Sequence, residues 1–254
     1  MLTFEAGRST PAIRALFPRA GHVWRRSYAV LDGSCRGRML TDDPDNPTWA
    51  AVQEYSDDSV LFLGGVVSPE LVATLIEIMR RGRTLCFGAP DGDPAFDLFP
   101  LERDYDDFDV DFENRDPHLD LVPLCQPPPD LRLERIDADL LPRCAWGPWM
   151  TAGMETALNQ GLGYCLLDGD VVVSEAFAGP VVEGALEMAT ITADAWQGRG
   201  LSTVVSARTV LECERNGWTT WWNTSRTNVA SQSVARKLGY RSERPYRLLA
   251  WWAT

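Results

Sequence analysis

The pattern of apolar and polar positions divides the N-terminal half of the chain into short helices and strands. Thr10 and Pro11 precede an apolar segment that ends at Phe17, which is typical of a capped helix start. Apolar runs further on are separated by turn-forming residues, and Gly64 and Gly65 end the second strand of a predicted hairpin. The predicted elements are a helix at 9–17, hairpin strands at 48–55 and 59–63, a helix at 68–81, and strands at 84–88 and 108–113.

A second series of elements follows a polar, proline-rich segment, residues 114–130, which predicts an interdomain linker. Its predicted elements are a strand at 131–136, a helix at 150–160, a hairpin of strands at 164–167 and 171–177, a strand at 185–192, a helix from 201, a strand at 218–223, a short helix and closing strands at 241–252. We therefore expect an N-terminal α/β domain over residues 1–125 and a C-terminal domain over 131–254. The pattern shows no convincing internal repeat.

A glycine-containing loop joins the predicted strand at 185–192 to the helix that begins at Leu201. The free N–H groups and the positive dipole end of a helix N-terminus attract anions, and Gly198 and Gly200 would let a pyrophosphate approach the backbone. A Walker loop is excluded because its Gly-Lys-Ser/Thr ending is missing, and a dinucleotide fingerprint lacks its third glycine at Thr203. The loop predicts a site for another nucleotide-like cofactor.

Charge and composition narrow the class of partner. Of the 254 residues, 45% are hydrophobic, which is enough apolar material for a sizeable core. The formal net charge is −12. Nucleic acid and anionic membrane surfaces are excluded as expected partners, since both need clustered Lys and Arg, whereas a cationic substrate is tolerated. The strand with Asp109, Asp111 and Glu113 has one acidic face, either plain solvated surface or part of a field that attracts cations.

The six cysteines are scattered without a Cys-x-x-Cys pair, and the two histidines, His22 and His118, add no metal-ligand spacing. We expect reduced thiols and no metal. The N-terminus lacks the plan of a signal peptide, and no apolar run approaches the ~20 residues of a membrane span. The sequence therefore predicts a soluble cytoplasmic protein, and it leaves open whether the protein is an oligomer.

At the glycine loop the sequence resembles the GNAT acetyltransferase superfamily. Gln197, Gly200 and Ser202 occupy the places of that family's Gln/Arg-x-x-Gly-x-Gly/Ala loop, the last with a conservative departure. Asn228 and the helix ending in Lys-Leu-Gly-Tyr240 are similar to its second motif, and both motifs stand in family order. The resemblance covers about 131–252, and the Trp-Trp-Asn strand, the Asn-x-x-Ser helix start and the long preceding domain most resemble the zwittermicin-resistance type.

The resemblance implies a GNAT fold, with a mixed, mostly antiparallel sheet that splits between its fourth and fifth strands and holds acetyl-CoA in the cleft. The fold class is α/β, or α+β, with a smaller α/β domain in front of the GNAT domain. By the same resemblance, these residues are expected to bind the cofactor: Thr190, Ile191, Thr192, Gln197, Gly198, Arg199, Gly200, Leu201, Ser202, Thr203, Asn228 and Ser231. Asn228 also has a plain reading as the N-cap of the helix that follows.

The catalytic groups are where the sequence departs from its relatives. The tyrosine that many GNAT enzymes use to protonate the leaving thiolate falls on Ala235, and a glutamate that some use as base falls on Asn223. Glu187 is the remaining candidate base, against an exposed strand glutamate, with a register uncertain by one residue. Tyr240 is the candidate proton donor, against a core tyrosine.

Two functions follow from this comparison. The first is an N-acetyltransferase that transfers an acetyl group to a primary amine of a small molecule, such as an amino-antibiotic or a polyamine-like compound. The second, favoured by the missing tyrosine, is a CoA-binding regulatory or partner protein with weak or no catalysis. The sequence does not decide whether the first domain is a decayed GNAT-like half.

Overall fold

The structure, a computed structural model, describes residues 1–17, 22–54, 60–78, 84–89, 92–145, 158–159 and 161–252. The chain divides into two compact units, one formed by Met1–Val110 with Pro245–Thr254 and the other by Asp111–Arg244. Strands are numbered in chain order. Two of them, β6 (Tyr105–Arg115) and β12 (Tyr240–Trp252), contribute residues to both units. The predicted division into domains 1–125 and 131–254 stays a prediction, because compactness alone does not establish independent folding.

The first unit is built on a mixed sheet. Its elements are β1 Leu2–Glu5, α1 Pro11–Ala15, α2 His22–Leu31, β2 Gly37–Thr41, β3 Trp49–Glu54, β4 Val60–Gly65, α3 Pro69–Ile78 and β5 Thr84–Ala89. Strands β1 to β4 pair antiparallel in chain order, β4 pairs parallel with β5, and β5 pairs antiparallel with residues 247–252 of β12. The Thr10 hydroxyl caps α1 by accepting the Ile13 N–H at 3.2 Å, as the Thr-Pro start predicts.

The second unit repeats this order of pairing. Its elements are β7 Arg132–Arg135, β8 Leu162–Asp168, β9 Val171–Ala178, β10 Ala185–Thr192, α4 Leu201–Arg215, β11 Thr219–Ser225 and α5 Val229–Lys237. Strands β7 to β10 pair antiparallel and β10 pairs parallel with β11. Helix α4 packs over β8, β9 and β10, and its own residues Val205 and Val210 are fully buried. Asn216 and Gly217 end α4, the glycine at φ 75°, as their C-cap signature predicts.

Most predicted elements are confirmed to within a few residues, including both hairpins and the strand at 185–192. The sequence missed β1, α2 and β2, and the predicted closing strands form the single strand β12. The predicted helix at 150–160 lies outside the described residues, apart from the helical Leu158 and Asn159. In the part of the chain that is described, no helix has the length and apolarity to cross a membrane.

The acidic strand face differs from its predicted character. Asp109 and Asp111 are 7% and 1% exposed, so the plain solvated surface is wrong for both of them, and only Glu113 is partly exposed. Asp109 accepts long hydrogen bonds of 3.4 Å from the hydroxyls of Tyr105 and Tyr246. Asp111 accepts a 2.9 Å hydrogen bond from the Asn223 side-chain amide. Burial of these carboxylates is compensated by polar partners, of which Tyr246 and Asn223 come from distant segments.

Candidate functional site

A groove opens in the second unit where two parallel strands diverge. β10 and β11 pair from Ala185 opposite Thr219 to Met188 opposite Trp222, but the strands continue to Thr192 and Ser225. The Glu187 carbonyl accepts from Gly179 and the Ala193 N–H donates to Val173, so alternate residues of β10 face β9. The backbone groups of Thr190 and Thr192 therefore face the opening, as the predicted split sheet requires.

The groove has a volume of about 480 Å³, and β10, the glycine loop, α4 and α5 line it. It brings together eleven of the twelve predicted cofactor-binding residues; Arg199 is the exception and lies with its guanidinium 4.6 Å from the Trp196 ring centre. The lining residues absent from that prediction are Trp196, Ala230, Ser233, Val234 and Lys237. The last four recur at helical spacing with Ser231, so the period of α5 could have found them.

The glycine loop leaves the start of α4 open. Gly198 and Gly200 have φ angles of 76° and 78°, in the left-handed region, and an added Cβ on either would meet no atom within 4 Å. Gly200 is the N-cap of α4 and no side chain caps the helix, whereas Thr10 caps α1 and Asn228 caps α5. The Thr203 N–H donates to the Gly200 carbonyl at 3.0 Å, so among the described contacts the first-turn N–H groups left to a ligand are those of Leu201 and Ser202. This end of α4 fits the pyrophosphate of a CoA-type molecule.

Side-chain hydrogen bonds fasten the loop to β10. The Gln197 amide donates to the Thr192 carbonyl at 3.2 Å and to the Asp194 carboxylate at 3.0 Å. The Thr192 hydroxyl bonds the hydroxyls of Ser202 at 2.7 Å and Ser174 at 2.8 Å. Ser202, which stands where the family loop has Gly or Ala, therefore ties α4 to the strand. The side chains of Gln197 and Ser202 hold the loop, which leaves its backbone to meet a ligand.

Helix α5 forms another wall of the groove. The side-chain amide oxygen of Asn228 accepts the Ser231 N–H at 3.1 Å, so the predicted N-cap role of Asn228 is confirmed. The Trp222 indole N–H donates to the Ser231 hydroxyl at 3.0 Å, and the Gln232 amide donates to the Arg226 carbonyl at 2.8 Å. These contacts fix the start of α5 against the end of β11.

Acidic side chains lie on the sheet face opposite α4. The register places Glu187 beside Trp221, and Asn223 follows Trp221 by two residues, so all three share that face. Glu175 of β9 lies opposite Ile191 on the same face, and its carboxylate accepts the Ala145 N–H at 2.9 Å. With the Asp111–Asn223 hydrogen bond, this gives a row of three carboxylates and one amide across four strands, formed by Asp111, Asn223, Glu187 and Glu175, which we call the acidic row. Glu187 is 8% exposed, so its reading as an exposed strand glutamate is wrong.

The predicted proton donor Tyr240 lies in the core. It is 2% exposed, its hydroxyl bonds the Thr220 hydroxyl, and its ring centre is 5.9 Å from that of Trp222. Burial raises the pKa of the phenol well above its usual value. Tyr240 does not line the groove, so the structure favours its core reading and offers no support for proton donation. Ala235, where many relatives have the donor tyrosine, is also fully buried.

Metal chemistry finds no support among the described residues. No group of three or more His, Cys, Asp or Glu side chains in those ranges could hold a metal ion. The six cysteines are free thiols, and burial raises the pKa of Cys35, Cys86 and Cys213.

Comparisons with known proteins agree with this geometry. Residues 103–249, more than half of the chain, match the family described as GNAT acetyltransferase. An uncharacterized N-acetyltransferase of Bacillus subtilis strain 168, YdfB, is 28% identical over 128 residues, which are 48% of this chain and 49% of that protein. The chain thus spans about half the length of the curated relative that it matches.

Solved structures share the fold. A GCN5-related N-acetyltransferase-like protein from Streptococcus suis 89/1591 superposes with a TM-score of 0.73 and 22% identity, over 93% of this chain and 95% of that one. A GCN5-related N-acetyltransferase from Sphaerobacter thermophilus gives 0.59 and 13%, over 98% and 95% of the two chains. A tandem GNAT protein from the clavulanic acid biosynthesis pathway gives 0.55 and 11%, over 86% and 83%.

The likeness to solved structures confirms the predicted GNAT fold, with its mixed sheet and flanking helices. The family match shows more than the fold, since it covers the glycine loop, α4, β11 and α5, where the motifs stand. The chain belongs to the GNAT acetyltransferase family.

Proposed function

We propose that this protein is an acetyl-CoA-dependent N-acetyltransferase that acts on a primary amine of a small molecule. The observation that carries the proposal is the groove, in which an uncapped helix N-terminus and the open edge of a strand line one cavity of about 480 Å³. A helix N-terminus suits a pyrophosphate, and an open strand edge suits an extended chain with amide groups. CoA carries both, joined in one molecule.

Different residues of the groove would bind successive parts of the CoA molecule. Backbone N–H groups from Gly198 to Ser202 would hold the pyrophosphate, because the Thr203 N–H is bonded to the Gly200 carbonyl. The Thr190 backbone and the Thr192 N–H would hold the pantetheine arm, because the Thr192 carbonyl accepts from Gln197. Acetyl-CoA supplies an activated acyl group as its thioester. The chain's part is to orient that thioester at the end of the groove, where an N–H group of β10 would polarise its carbonyl.

Glu187 is our candidate for the general base. An amine is mostly protonated at neutral pH, and its nitrogen must lose a proton before it can attack a carbonyl carbon. Glu187 is not among the residues that line the groove. It lies on β10 one residue before Met188, the last residue paired with β11, and on the same sheet face as Ile191, which does line the groove. A carboxylate in that position could take the proton directly or through one water. We assign no proton donor, because a thiolate leaving group can depart without a strong acid.

The acceptor is proposed to be a cationic small molecule, of the kind represented by an amino-antibiotic or a polyamine. Two features support a cation: the formal net charge of −12, and the buried acidic row on the face that carries Glu187. The likeness of the Trp-Trp-Asn strand and the Asn-x-x-Ser helix start to the zwittermicin-resistance type points to the same class. Because acetyl-CoA is used inside cells, we propose a cytoplasmic location.

An amine panel tests the proposal. The protein is incubated with acetyl-CoA and single amines, free thiol is followed with a thiol-reactive dye, and products are weighed by mass spectrometry. We expect thiol release that depends on the amine, and a product heavier by one acetyl group. Acidic amino compounds of matched size are the control class. Failure of every amine would contradict the enzyme reading.

A second candidate function is a CoA-binding regulatory or partner protein with little catalysis. It is favoured by the residues at the family's usual acid and base positions, since Ala235 is buried and Asn223 is hydrogen-bonded to Asp111. Under this reading CoA raises the melting temperature while no amine releases thiol. The two functions are therefore separated by running thermal melts on the protein used in the amine panel.

We also propose that the first unit is a GNAT-like half without a cofactor site. Its strands β1 to β5 follow the pairing order of β7 to β11, and α3 links its parallel strands as α4 does. The tandem GNAT protein of the clavulanic acid pathway shows that such chains occur. The parallel pairing of β4 and β5 ends at Phe62 opposite Cys86, although the strands continue to Gly65 and Ala89.

Two features argue against a second cofactor site in that unit. Only residues 66–68 separate β4 from α3, whereas residues 193–200 separate β10 from α4, so the phosphate loop has no counterpart. A Cβ added to Gly64 would lie 2.7 Å from the Leu16 carbonyl oxygen and 3.0 Å from the Phe17 ring, so the chain itself fills the space beside β4. We expect calorimetry to give one CoA per chain; two per chain would contradict this assignment.

A further inference from the structure

One hydrogen bond in the groove wall joins a core side chain to a lining residue. Trp222, on β11, is 1% exposed, and its indole N–H donates to the Ser231 hydroxyl at 3.0 Å. Ser231 lies on α5 and lines the groove. An indole N–H can only donate, so the serine oxygen is the acceptor in this pair.

The bond fixes what the Ser231 hydroxyl can offer to a ligand. A serine hydroxyl has one proton and two lone pairs, and Trp222 engages one of the lone pairs. Within the described residues, the structure gives the hydroxyl proton no acceptor, and the Ser231 backbone N–H is already bonded to Asn228. The hydroxyl proton must point away from the indole N–H, and the groove is the open side. Ser231 is thereby set as a hydrogen-bond donor toward whatever the groove holds.

We infer that Trp222 is a positioning residue that makes Ser231 a donor to an amide carbonyl of the pantetheine arm. The inference rests on the proposed function, because it takes CoA as the occupant of the groove. The strand edge at Thr190 and Thr192 binds the arm through backbone groups, and Ser231 adds a side-chain donor from the α5 wall. A carbonyl oxygen accepts such a bond, whereas a ligand group that can only donate would leave the Ser231 proton unsatisfied.

A simpler reading is that the bond only fastens α5 to β11. Under that reading, loss of the indole N–H loosens the whole helix and weakens every ligand of the groove to the same extent. Under ours, the loss is confined to ligands that carry the pantetheine arm. Adenosine 3′,5′-bisphosphate, which carries the nucleotide end of CoA without the arm, distinguishes the two.

The experiment measures Kd by calorimetry for CoA and for adenosine 3′,5′-bisphosphate in each variant. Ser231→Ala is expected to raise the Kd of CoA about 3- to 10-fold, the range of one neutral hydrogen bond, and to leave the bisphosphate unchanged. Ser231→Thr, which keeps a hydroxyl, stays within about twofold of wild type for both. Trp222→Phe is expected to raise the Kd of CoA but not that of the bisphosphate. In a protein that already carries Ser231→Ala, it should raise the Kd of CoA by less than about twofold more, because the two residues act as one unit.

Trp221→Phe is the matched control, since it removes the neighbouring buried indole on the opposite sheet face. It is expected to leave the ratio of the two Kd values unchanged. The inference is overturned if Ser231→Ala shifts both ligands equally or neither, or if the Trp222 and Ser231 effects on CoA are additive. Should Trp222→Phe fail to fold, the Ser231→Ala and Ser231→Thr pair decides. Absence of CoA binding by the wild type refutes the proposed function instead.

Discussion

Replacement of Gly200 by valine separates cofactor binding from folding. Gly200 is the N-cap of α4 at φ 78° and ψ 9°, a left-handed conformation that side chains with a Cβ rarely adopt. An added Cβ there would meet no protein atom within 4 Å, so the first carbon of the new side chain has open space in the free protein. The open space beside Gly200 is where we place the pyrophosphate. Gly200→Val is therefore expected to strain the backbone and to obstruct the ligand directly.

The two effects have different sizes. A non-glycine residue in the left-handed region costs roughly 1–2 kcal/mol, and a β-branched one more, which lowers the melting temperature of a chain this long by about 2–8 °C. Saturating cofactor at ~100 Kd stabilises the wild type by about 2.7 kcal/mol, a rise of about 5–11 °C. For Gly200→Val we expect the lower melting temperature of the free protein, and no rise in melting temperature when the cofactor is added.

Gly217→Val is the matched control. Gly217 follows the other end of the same helix at φ 75°, and an added Cβ there would also meet nothing within 4 Å. It carries the same backbone strain without lining the groove, so it should lose a similar amount of stability and keep the full cofactor response. Thermal melts of the three proteins, with and without acetyl-CoA, make the comparison. An equal cofactor response in Gly200→Val and Gly217→Val refutes the placement of the pyrophosphate.

Three further predictions concern the acceptor side and pH. Glu187→Gln should lower kcat about 10²- to 10⁴-fold and flatten its pH dependence below neutrality without changing CoA affinity; an unaltered pH profile removes Glu187 from the mechanism. The KM of a diamine should rise between low and physiological salt more than that of an amine neutral at the assay pH; equal responses contradict electrostatic attraction. Partial desolvation raises the pKa of Asp42, but hydrogen bonds from Thr48 and the Asp43 and Trp49 backbones outweigh it and hold the pKa at about 2, below its usual 3.8. The stabilisation that ionised Asp42 gives the folded state is complete above pH ~4 and is lost as the pH falls toward 2. The melting temperatures of Asp42→Ala and of the wild type should therefore converge near pH ~2. A difference in melting temperature that stays constant with pH would contradict this.

The groove in which we place the cofactor could be predicted because the signals that form it are local. Gly198, Gly200 and Asn228 act through backbone conformation and capping within a few residues of themselves, and such signals are visible in a single sequence. The divergence of β10 and β11 was implied by the resemblance rather than by the pattern, since it depends on pairing between strands about thirty residues apart. Once those strands and helices are in place, their ends meet in one groove.

The missed helix α2 and the misassigned strand face share a different cause, which is burial of charge by distant partners. Helix α2 carries Arg26 in the core, paired with Glu54 at 2.6 Å, and an arginine at a core position hides the apolar stripe of the helix. Asp111 is buried against Asn223, 112 residues further along the chain. Alternation of period two identifies two faces of a strand but does not tell which one is covered.

The contrast between local signals and distant contacts also explains why membership of the family indicates the cofactor more readily than the acceptor. The contacts that we propose for CoA run through backbone groups and a short list of small residues, so they would leave a fixed signature in one segment, β10 to α5. The acidic row draws one side chain from each of β6, β11, β10 and β9, and substitution at any one of them leaves that signature intact. Asn223 is an instance: it stands where some relatives have a glutamate, and Asp111 on the adjacent strand holds its amide. A change of Asp111 to Asn should therefore alter the acceptor's KM or the kcat while the Kd of CoA stays within about twofold, and a larger change in CoA affinity would show that the two sides of the site are not separable.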